Sequence, residues 1–367
     1  MTAHAGHAHP HWGGAGHGSR RVQDESAAAT RLPADRAHRR RRLLLVVIAL
    51  LIGVIVLTAS VIVGTGLFYA GSVASRFDST VTHIQRAFPP ATTRPVPLHT
   101  NAMNILVLGS DSRGDPTTVG ASGESDQRSD TMMLVHIDAD RKDVYVMSIM
   151  RDLWVPIPGH GSAKINAALA WGGTPLAIQT VEHLLGTRID HVAIIDFRGL
   201  KAMTAALGGV DVDSPVAFTT VKSPHYTFRK GLNHLDGDQA LAFARERYAF
   251  PTADYQRVAN QQALVRGIVD KLMSRSTLAD PGAVTSFAGA MGSYLSVDRQ
   301  FDLPAILELA ASMRLAGASS IHAFTMPTAG TGTSADGQSI VDLDQSSLPA
   351  LRAALAHDAV GAFVASH

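Results

Sequence analysis

The chain has 367 residues, 46% of them hydrophobic and 17% charged, so it can form about two domains and bury a sizeable core. It contains no cysteine, which excludes disulfide bonds, thiolate metal sites and a cysteine nucleophile. The formal net charge is +1, but residues 1–42 hold eight Arg and three acidic residues. They contribute +5 and the rest of the chain −4, a balance that argues against a generally basic nucleic-acid binder.

The first 42 residues are predicted to form a disordered tail. Residues 1–38 show no apolar periodicity, and five histidines fall within the first seventeen residues: His4, His7, His9, His11 and His17. A His-rich tract can bind metal. Because nothing in this stretch fixes a coordination geometry, a solvated tail is the favoured interpretation.

A transmembrane helix is predicted over residues 43–66. Four arginines, Arg39 to Arg42, lead into the uncharged run LLLVVIALLIGVIVLTASVIV, residues 43–63. About 20 helical residues span a bilayer core of ~30 Å. A buried core helix and a cleaved signal peptide are the alternatives, but the run is long for a signal and begins late. The arginines predict a cytoplasmic N-terminus and an extracellular C-terminal domain.

Residues 67–100 are predicted to be a stalk, because PPATTRPVP (89–97) holds four prolines and no apolar rhythm. Residues 101–360 are predicted to form one α/β domain with a largely buried sheet. Short apolar runs predict strands at 104–110, 131–138, 144–149 and 191–197. Apolar periodicity predicts helices at 163–170, 174–185, 198–207, 237–246, 254–274, 302–314 and 346–356.

Arg and Asp residues recur at the ends of the predicted strands. No G-x-S-x-G elbow, P-loop, H-E-x-x-H motif or dinucleotide fingerprint follows a strand. Ligands of α/β sheets bind beyond the carboxyl ends of strands. The polar pairs at these ends are Asp111 and Arg113 after the first strand, Arg128 and Asp130 at the start of the second, and Arg151 and Asp152 after the third.

Further basic residues lie on predicted helices. Arg245 and Arg247 are at the end of ALAFARERY, and Arg257 and Gln261 share one helix face. Arginine forks match phosphate oxygens, and carboxylates beside them favour Mg²⁺ held together with substrate phosphates. Ordinary surface ion pairs are the alternative explanation for any single pair.

Taken in order, the blocks NILVLGSDSR, RSDTMMLVHID, SIMRDLWVPIPG, KINAA, GGVDV, LDGDQALAFARER and D-x-x-R-x-x-x-Q resemble the LytR–CpsA–Psr family. The resemblance covers about residues 101–350. It implies a central mixed sheet flanked by helices, with a deep apolar pocket for a lipid chain. It also implies an enzyme that moves anionic glycopolymers from a polyprenyl-diphosphate carrier onto peptidoglycan.

By this resemblance, the catalytic residues are Arg128, Asp130, Arg151, Arg245 and Arg247. The diphosphate-binding residues are Arg113, Arg128, Arg151, Lys164, Arg245, Arg247, Arg257 and Gln261. Asp111 and Asp130 would hold Mg²⁺ or Mn²⁺, or position the arginines.

Two positions depart from the family pattern. Met150 replaces a proline that would fix the approach to Arg151, so a looser turn is expected. Asn260 replaces an arginine near Arg257, so Asn260→Arg is expected to tighten diphosphate binding.

Three other functions stay open at this point. One is a diphosphatase in which water replaces the sugar hydroxyl, and another is a non-catalytic polyprenyl-phosphate-binding scaffold. The third, a membrane-linked transcriptional attenuator, is disfavoured because the tail has no helix-turn-helix pattern. The glycopolymer and the catalytic base are not assigned.

The aliphatic residues of 176–186 and 264–273 have helical spacing. Either a packed core or the wall of a lipid pocket would explain them, and a packed core is favoured.

Overall fold

A computed structural model of the protein describes residues 79–97, 100–110, 129–251, 254–272, 274–278, 280–314 and 318–367. The predicted tail and transmembrane helix, residues 1–66, lie outside these ranges. Within the described ranges, no helix is both long enough and apolar enough to cross a membrane.

A seven-stranded mixed sheet forms the centre of the domain. Its strands are β1 Thr82–Ile84, β2 Met103–Ser110, β3 Ser129–Ile137, β4 Val144–Ile149, β7 His191–Asp196, β12 Leu295–Asp298 and β13 Ile321–Thr325. They lie in the order β1-β12-β7-β2-β3-β4-β13. Strand β2 runs parallel to β7 and antiparallel to β3, β3 is antiparallel to β4, and β4 is parallel to β13.

Four two-stranded ribbons lie beside the sheet, pairing β5 with β6, β8 with β11, β9 with β10, and β14 with β15. Their strands are β5 Trp154–Ile157, β6 Gly161–Lys164, β8 Val210–Ser214, β9 Phe218–Thr219, β10 Thr227–Phe228, β11 Gly231–Leu235, β14 Thr328–Thr333 and β15 Ser339–Leu343. The helices are α1 Ala167–Leu185, α2 Phe197–Ala206, α3 Gly237–Arg245, α4 Asp254–Leu272, α5 Arg275–Leu278, α6 Pro281–Ser293, α7 Leu303–Ser312, α8 Leu348–Ala356 and α9 Val360–Ser366.

Helices cover both faces of the sheet, which is why its strands are continuous apolar runs. All six residues of β4 are buried, as expected for a strand covered on two sides. One face packs with α1, α8 and α9, and the other packs with α6 and α7. A second core joins α2, α3 and α4 to the ribbons β8–β11 and β9–β10. The expected mixed sheet flanked by helices is confirmed.

The segment predicted as a helix over 163–170 is different in the structure. Residues 161–164 form β6, which pairs with β5 in a hairpin; Gly159 in the turn and Gly161 at the start of β6 both have positive φ. Helix α1 begins only at Ala167 and continues to Leu185 through non-helical residues at Gly172 and Gly173. The two predicted helices are therefore one kinked element, because glycine tolerates the local departure from helical geometry.

The described part of the predicted stalk belongs to the folded domain. Strand β1 pairs with β12 at the edge of the sheet. The Arg94 side chain, 7% exposed, forms an ion pair with the buried carboxylate of Glu182 on α1 at 2.7 Å. At the other end of the domain, α9 buries Val360 and Phe363 in the main core, so the domain continues beyond residue 360.

Candidate active site

The sheet topology brings the polar ends of several strands to one edge. Strands β2, β4 and β7 end at this edge, and the antiparallel β3 begins there. Arg151 is the second residue after β4, and the chain position of Asp111 follows β2. Asp111, Arg113 and Arg128 lie outside the described residues. Asp130 is placed by its backbone as the second residue of β3, and its side chain is likewise outside the description.

A cavity of about 410 Å³ opens beside this edge. Five residues of the predicted site line it: Arg151, Arg245, Arg247, Arg257 and Gln261. The rest of its wall is formed by Thr220, Lys222, Ser223, Pro224, Tyr226, Asp238, Leu241, Ala242, Ala244, Glu246 and Tyr248. Arg151, Arg257 and Gln261 also line a small adjoining cavity of about 10 Å³ against β3 and β4. Residues far apart in the sequence therefore meet here.

The lining of the large cavity is predominantly basic. It holds four arginines and Lys222 against two acidic side chains, Asp238 and Glu246. Asp238 forms an ion pair with Lys201 at 2.6 Å, and Glu246 is used by the backbone, as described next. Four of the five basic groups are guanidinium forks, a shape that suits an anion with several oxygens.

Glu246 organises the loop that carries Arg247. Its Oε1 accepts hydrogen bonds from the backbone N–H groups of Arg247, Tyr248 and Ala249 at 2.7–3.0 Å, and its Oε2 accepts one from Val221 at 2.9 Å. Helix α3 ends at Arg245 because Glu246 is extended, with φ −66° and ψ 130°. This opened turn lets Arg245 and Arg247 line the same cavity.

Consecutive amide side chains of α4 hold the end of α3 in place. Asn260 Nδ2 donates to the carbonyl oxygen of Phe243, and Gln261 Nε2 donates to that of Ala244, each at 3.3 Å. These carbonyls are in the last turn of α3, where no intrahelical partner is available. Gln262 Nε2 donates to Ser148 Oγ at 2.9 Å and so joins α4 to β4.

The expectation for Asn260 requires correction. The residue is fully buried, its side chain bonds the Phe243 carbonyl, and it is not part of the cavity wall. Position 260 therefore supports α3 and does not offer a place for a charge beside the phosphates. Gln261 combines both roles, since it lines the cavity and holds α3.

The turn before Arg151 is closed although proline is missing. Met150 is 2% exposed, and its carbonyl oxygen accepts a hydrogen bond from the Leu153 N–H at 3.0 Å. Burial of Met150 and this hydrogen bond restrain the turn that contains Arg151, and the effect of the missing proline on that turn stays a prediction. Lys164 Nζ lies 3.3 Å from Asp152 Oδ1, and Arg151 Nε lies 3.6 Å from Asp152 Oδ2. Lys164 is not in the cavity wall and reaches the site through Asp152.

Eleven lining residues were not predicted as part of the site, and three of them, Lys222, Glu246 and Tyr248, bear directly on its charge and geometry. Lys222 is on the loop between β9 and β10, and Glu246 and Tyr248 alternate with the predicted arginines. Arg247 donates a hydrogen bond to Tyr248 Oη at 2.8 Å, which lowers the pKa of Tyr248. The sequence signal for Glu246 and Tyr248 was their place inside the Arg-Glu-Arg-Tyr run. Lys222 has no local signal, because only the tertiary fold brings its loop to the cavity.

The two aliphatic stretches are packed cores, as favoured. Ala177, Ile178 and Val181 are fully buried in the main core, while Leu264 and Ile268 are buried in the second core.

Comparisons with known proteins agree with this architecture. The sequence profile of the LytR_cpsA_psr family matches residues 72–357. A relative from Enterococcus faecalis, polyisoprenyl-teichoic acid–peptidoglycan teichoic acid transferase TagU, is 31% identical over 258 residues, which are 70% of this chain and 80% of that protein. The protein of the same name from Bacillus anthracis is 36% identical over 203 residues, which are 55% of this chain and 63% of that protein.

A solved structure described as TagT bound to LI-WTA is 25% identical in sequence, with a TM-score of 0.55. The match covers 76% of this chain and 99% of that one. Because the family profile spans most of the chain and the fold matches as well, the protein belongs to the LytR–CpsA–Psr family.

Proposed function

We propose that this protein is a phosphotransferase that moves an anionic glycopolymer from a polyprenyl-diphosphate carrier onto peptidoglycan. The observation that supports it best is the cavity at the sheet edge, where four arginines and a lysine face one space. Relatives at 31% and 36% identity bear the name of a polyisoprenyl-teichoic acid–peptidoglycan teichoic acid transferase. The polymer that this chain transfers is not assigned.

In the proposed reaction, a peptidoglycan hydroxyl attacks the phosphorus atom next to the glycan. The new O–P bond forms as the bond from that phosphorus to the bridging oxygen breaks, and polyprenyl phosphate leaves. The hydroxyl proton passes to a base that remains unassigned. Arg151, Arg245, Arg247 and Arg257 bind the diphosphate oxygens, where negative charge builds up on the leaving group. Catalysis of this kind depends on positioning and electrostatics.

Burial restrains one of these arginines, Arg257, together with Gln261 beside it. Arg257 and Gln261 are each 6% exposed, one helical turn apart on α4, and Gln261 is fixed by the Ala244 carbonyl. Charged donors held in a partly dry site interact more strongly with an anion than exposed ones do. We therefore assign Arg257 to the inner part of the diphosphate site and the more exposed Arg245 to its mouth.

We also propose that Mg²⁺ or Mn²⁺ assists the reaction, held by Asp111 and Asp130. The described acidic residues of the cavity are engaged otherwise, Glu246 by four N–H groups and Asp238 by Lys201. Asp111 and Asp130 flank the same sheet edge in the chain, and carboxylates with phosphates suit a hard cation. When bound, the ion would neutralise charge on the diphosphate. Transfer should stop in EDTA and return with Mg²⁺; undiminished transfer in chelator would leave both residues as partners of the arginines.

We propose that residues 43–66 anchor the protein in the membrane, with residues 1–42 in the cytoplasm and the catalytic domain outside. The uncharged run after Arg39–Arg42 supports this orientation. A reporter fused after His367 should be active only outside the membrane. Activity confined to the cytoplasm would contradict the proposed orientation.

The decisive genetic experiment compares wall-linked polymers in a deletion strain and in strains complemented with the wild type or with Arg257→Gln. We expect loss of one wall-linked glycopolymer, restored by the wild type alone. Complementation by Arg257→Gln would point to a scaffold. Release of glycan that never becomes wall-linked, from purified wild-type protein supplied with acceptor, would point to a diphosphatase.

A further inference from the structure

A second polar cluster lies at the opposite edge of the sheet. His136 is near the end of β3, Asp138 follows that strand, and Asp358 lies between α8 and α9. Strand β3 begins at the candidate active site, and at ~3.3 Å per residue its length places the two edges roughly 25 Å apart. The cluster is therefore separate from the diphosphate site and is not explained by the proposed reaction.

The hydrogen bonds around His136 determine which ring nitrogen carries a proton. Asn104 Nδ2 donates to the carbonyl oxygen of Arg188 at 3.0 Å and to Thr187 Oγ1 at 3.2 Å. This orientation turns Asn104 Oδ1 toward His136 Nδ1, at 2.8 Å. Because an amide oxygen only accepts, the proton must be on Nδ1. In the neutral ring, Nε2 then presents a lone pair.

That lone pair faces two carboxylate oxygens. His136 Nε2 lies 3.1 Å from Asp358 Oδ1 and 3.6 Å from Asp138 Oδ1. Asp138 Oδ1 is buried and has no hydrogen-bond partner, and the His136 side chain is only 2% exposed. Three acceptors thus converge on one point, an arrangement that calls for a cation between them.

We propose that His136, Asp138 and Asp358 bind a divalent transition-metal ion, and that zinc is the ion that fits best. Zinc takes histidine nitrogen and carboxylate oxygen at ~2.0–2.2 Å, so two ligands of a tetrahedral ion are roughly 3.3–3.6 Å apart. The observed separations of 3.1 and 3.6 Å lie close to this range. The hydrogen bond from Nδ1 to Asn104 is the outer-shell contact that orients metal-binding histidines.

The position of the site indicates a structural role. Asp358 joins α8 to α9 and has a φ of 54°, and its Oδ2 also accepts a hydrogen bond from the Ala139 N–H at 3.0 Å. A metal ion bound by all three residues would fasten this C-terminal helix pair to the end of β3. Metal binding to the folded state alone raises its stability.

A neighbouring pair provides a matched control. Asp143 lies 2.8 Å from His322 Nε2 at the same edge of the sheet but is not part of the three-residue cluster. Asp143→Asn therefore removes one carboxylate from the same surroundings and leaves the proposed ligands intact.

The test uses the full chain with His4, His7, His9, His11, His17 and His38 changed to Gln in every variant, so that no histidine of the tail binds metal. The protein is treated with EDTA, dialysed and titrated with ZnCl₂ while binding and thermal unfolding are measured. We expect one zinc per chain and a rise in Tm of roughly 5 °C or more at saturation. The Asp143→Asn control should respond equally, and Asp138→Asn and Asp358→Asn should lose at least tenfold in affinity.

Cobalt gives a second readout, because a tetrahedral Co²⁺ site absorbs visible light strongly and weak surface binding does not. The proposal is overturned if the parent chain binds no zinc. It is also overturned if Asp138→Asn, folded by circular dichroism, shows the same zinc affinity and the same rise in Tm. Either result would show that a proton shared by His136, Asp138 and Asp358, and not a metal ion, explains why their acceptor atoms lie close together.

Discussion

Glu246 stands between two arginines of the cavity, and four backbone N–H groups donate to its carboxylate. A carboxylate with four donors is saturated, so Glu246 is suited neither to bind metal nor to act as a base. Its effect is to hold Arg247 and Tyr248 in one loop conformation and to join that loop to Val221. We regard it as a positioning residue.

Glu246→Gln should therefore damage activity through the loop. The amide nitrogen of glutamine would face an N–H donor, and the charge that strengthens the remaining hydrogen bonds would be lost. We expect a loss of about 1–3 kcal/mol in the free energy of unfolding and at least a tenfold drop in kcat/KM for transfer. Urea unfolding and a transfer assay measure the two effects, with the exposed Glu308→Gln as control. An unchanged kcat/KM would show that Arg247 needs no such support.

Asn260→Arg tests the corrected view of position 260. The residue is fully buried and bonds the Phe243 carbonyl. An arginine would put an unpaired charge into the packed contact between α3 and α4, at a cost of roughly 3–5 kcal/mol. Thermal unfolding and titration with a polyprenyl-diphosphate analogue measure the outcome. A stable variant with tighter binding would show that the side chain can reach the phosphates after all.

The arginines of the site were predictable from the sequence because the same positively charged side chain recurs near the ends of several predicted strands and helices. Glu246 was not predictable, since an acidic residue next to arginine has the pattern of an ordinary ion pair and only the backbone geometry reveals its four donors. The burial of Asn260 was equally hidden, because its partner is a main-chain carbonyl 17 residues away.

Helix α1 holds the N-terminal segment of the domain in place through one buried ion pair. Arg94 donates to both carboxylate oxygens of Glu182 and to the Ile189 carbonyl, and Glu182 Oε1 accepts from the Ile189 N–H at 2.9 Å. The pair attaches the segment after β1 to the end of α1. The prolines around it predicted an extended linker, and the contact that packs this segment was invisible because it spans 88 residues.

Glu182→Gln should destabilise the domain strongly. It removes the charge that balances Arg94 in a site where the two side chains are 1% and 7% exposed. Breaking one side of a buried pair costs about 3–5 kcal/mol, measurable by urea unfolding. The double variant Arg94→Met/Glu182→Leu should be less destabilised than Glu182→Gln. If the single change costs less than the double change, the pair is not electrostatically coupled.

The sheet and most helices followed from apolar periodicity, and the ribbons did not. Strand β5 contains Pro156 and β6 contains only one buried residue, so neither has a strand-like pattern. Residues 210–214 alternate buried and exposed, but Asp at the exposed positions weakens the strand signal. The formation of these ribbons depends on tertiary contacts, which a local sequence pattern does not show.

The two edges of the central sheet hold two separate proposed sites. At one edge, Arg151 after β4 lines the basic cavity, and the other edge holds His136, Asp138 and Asp358. Basic residues from β4, α3 and α4 converge through packing of the two cores, so diphosphate affinity should weaken as salt screens the exposed arginines.

In the proposed reaction, the protein transfers glycopolymer from the basic cavity to peptidoglycan. The most direct measurement incubates purified protein with polyprenyl-diphosphate-linked glycopolymer and peptidoglycan and quantifies the polymer attached to the wall fragment. The wild type and the control Arg266→Gln, exposed on α4, should transfer equally. Arg245→Gln and Arg247→Gln should each transfer about 10- to 100-fold less, as the loss of one charged hydrogen bond predicts, with unchanged Tm. Wild-type protein that releases polymer without attaching it, or variants that lose transfer only in proportion to unfolding, would contradict the account.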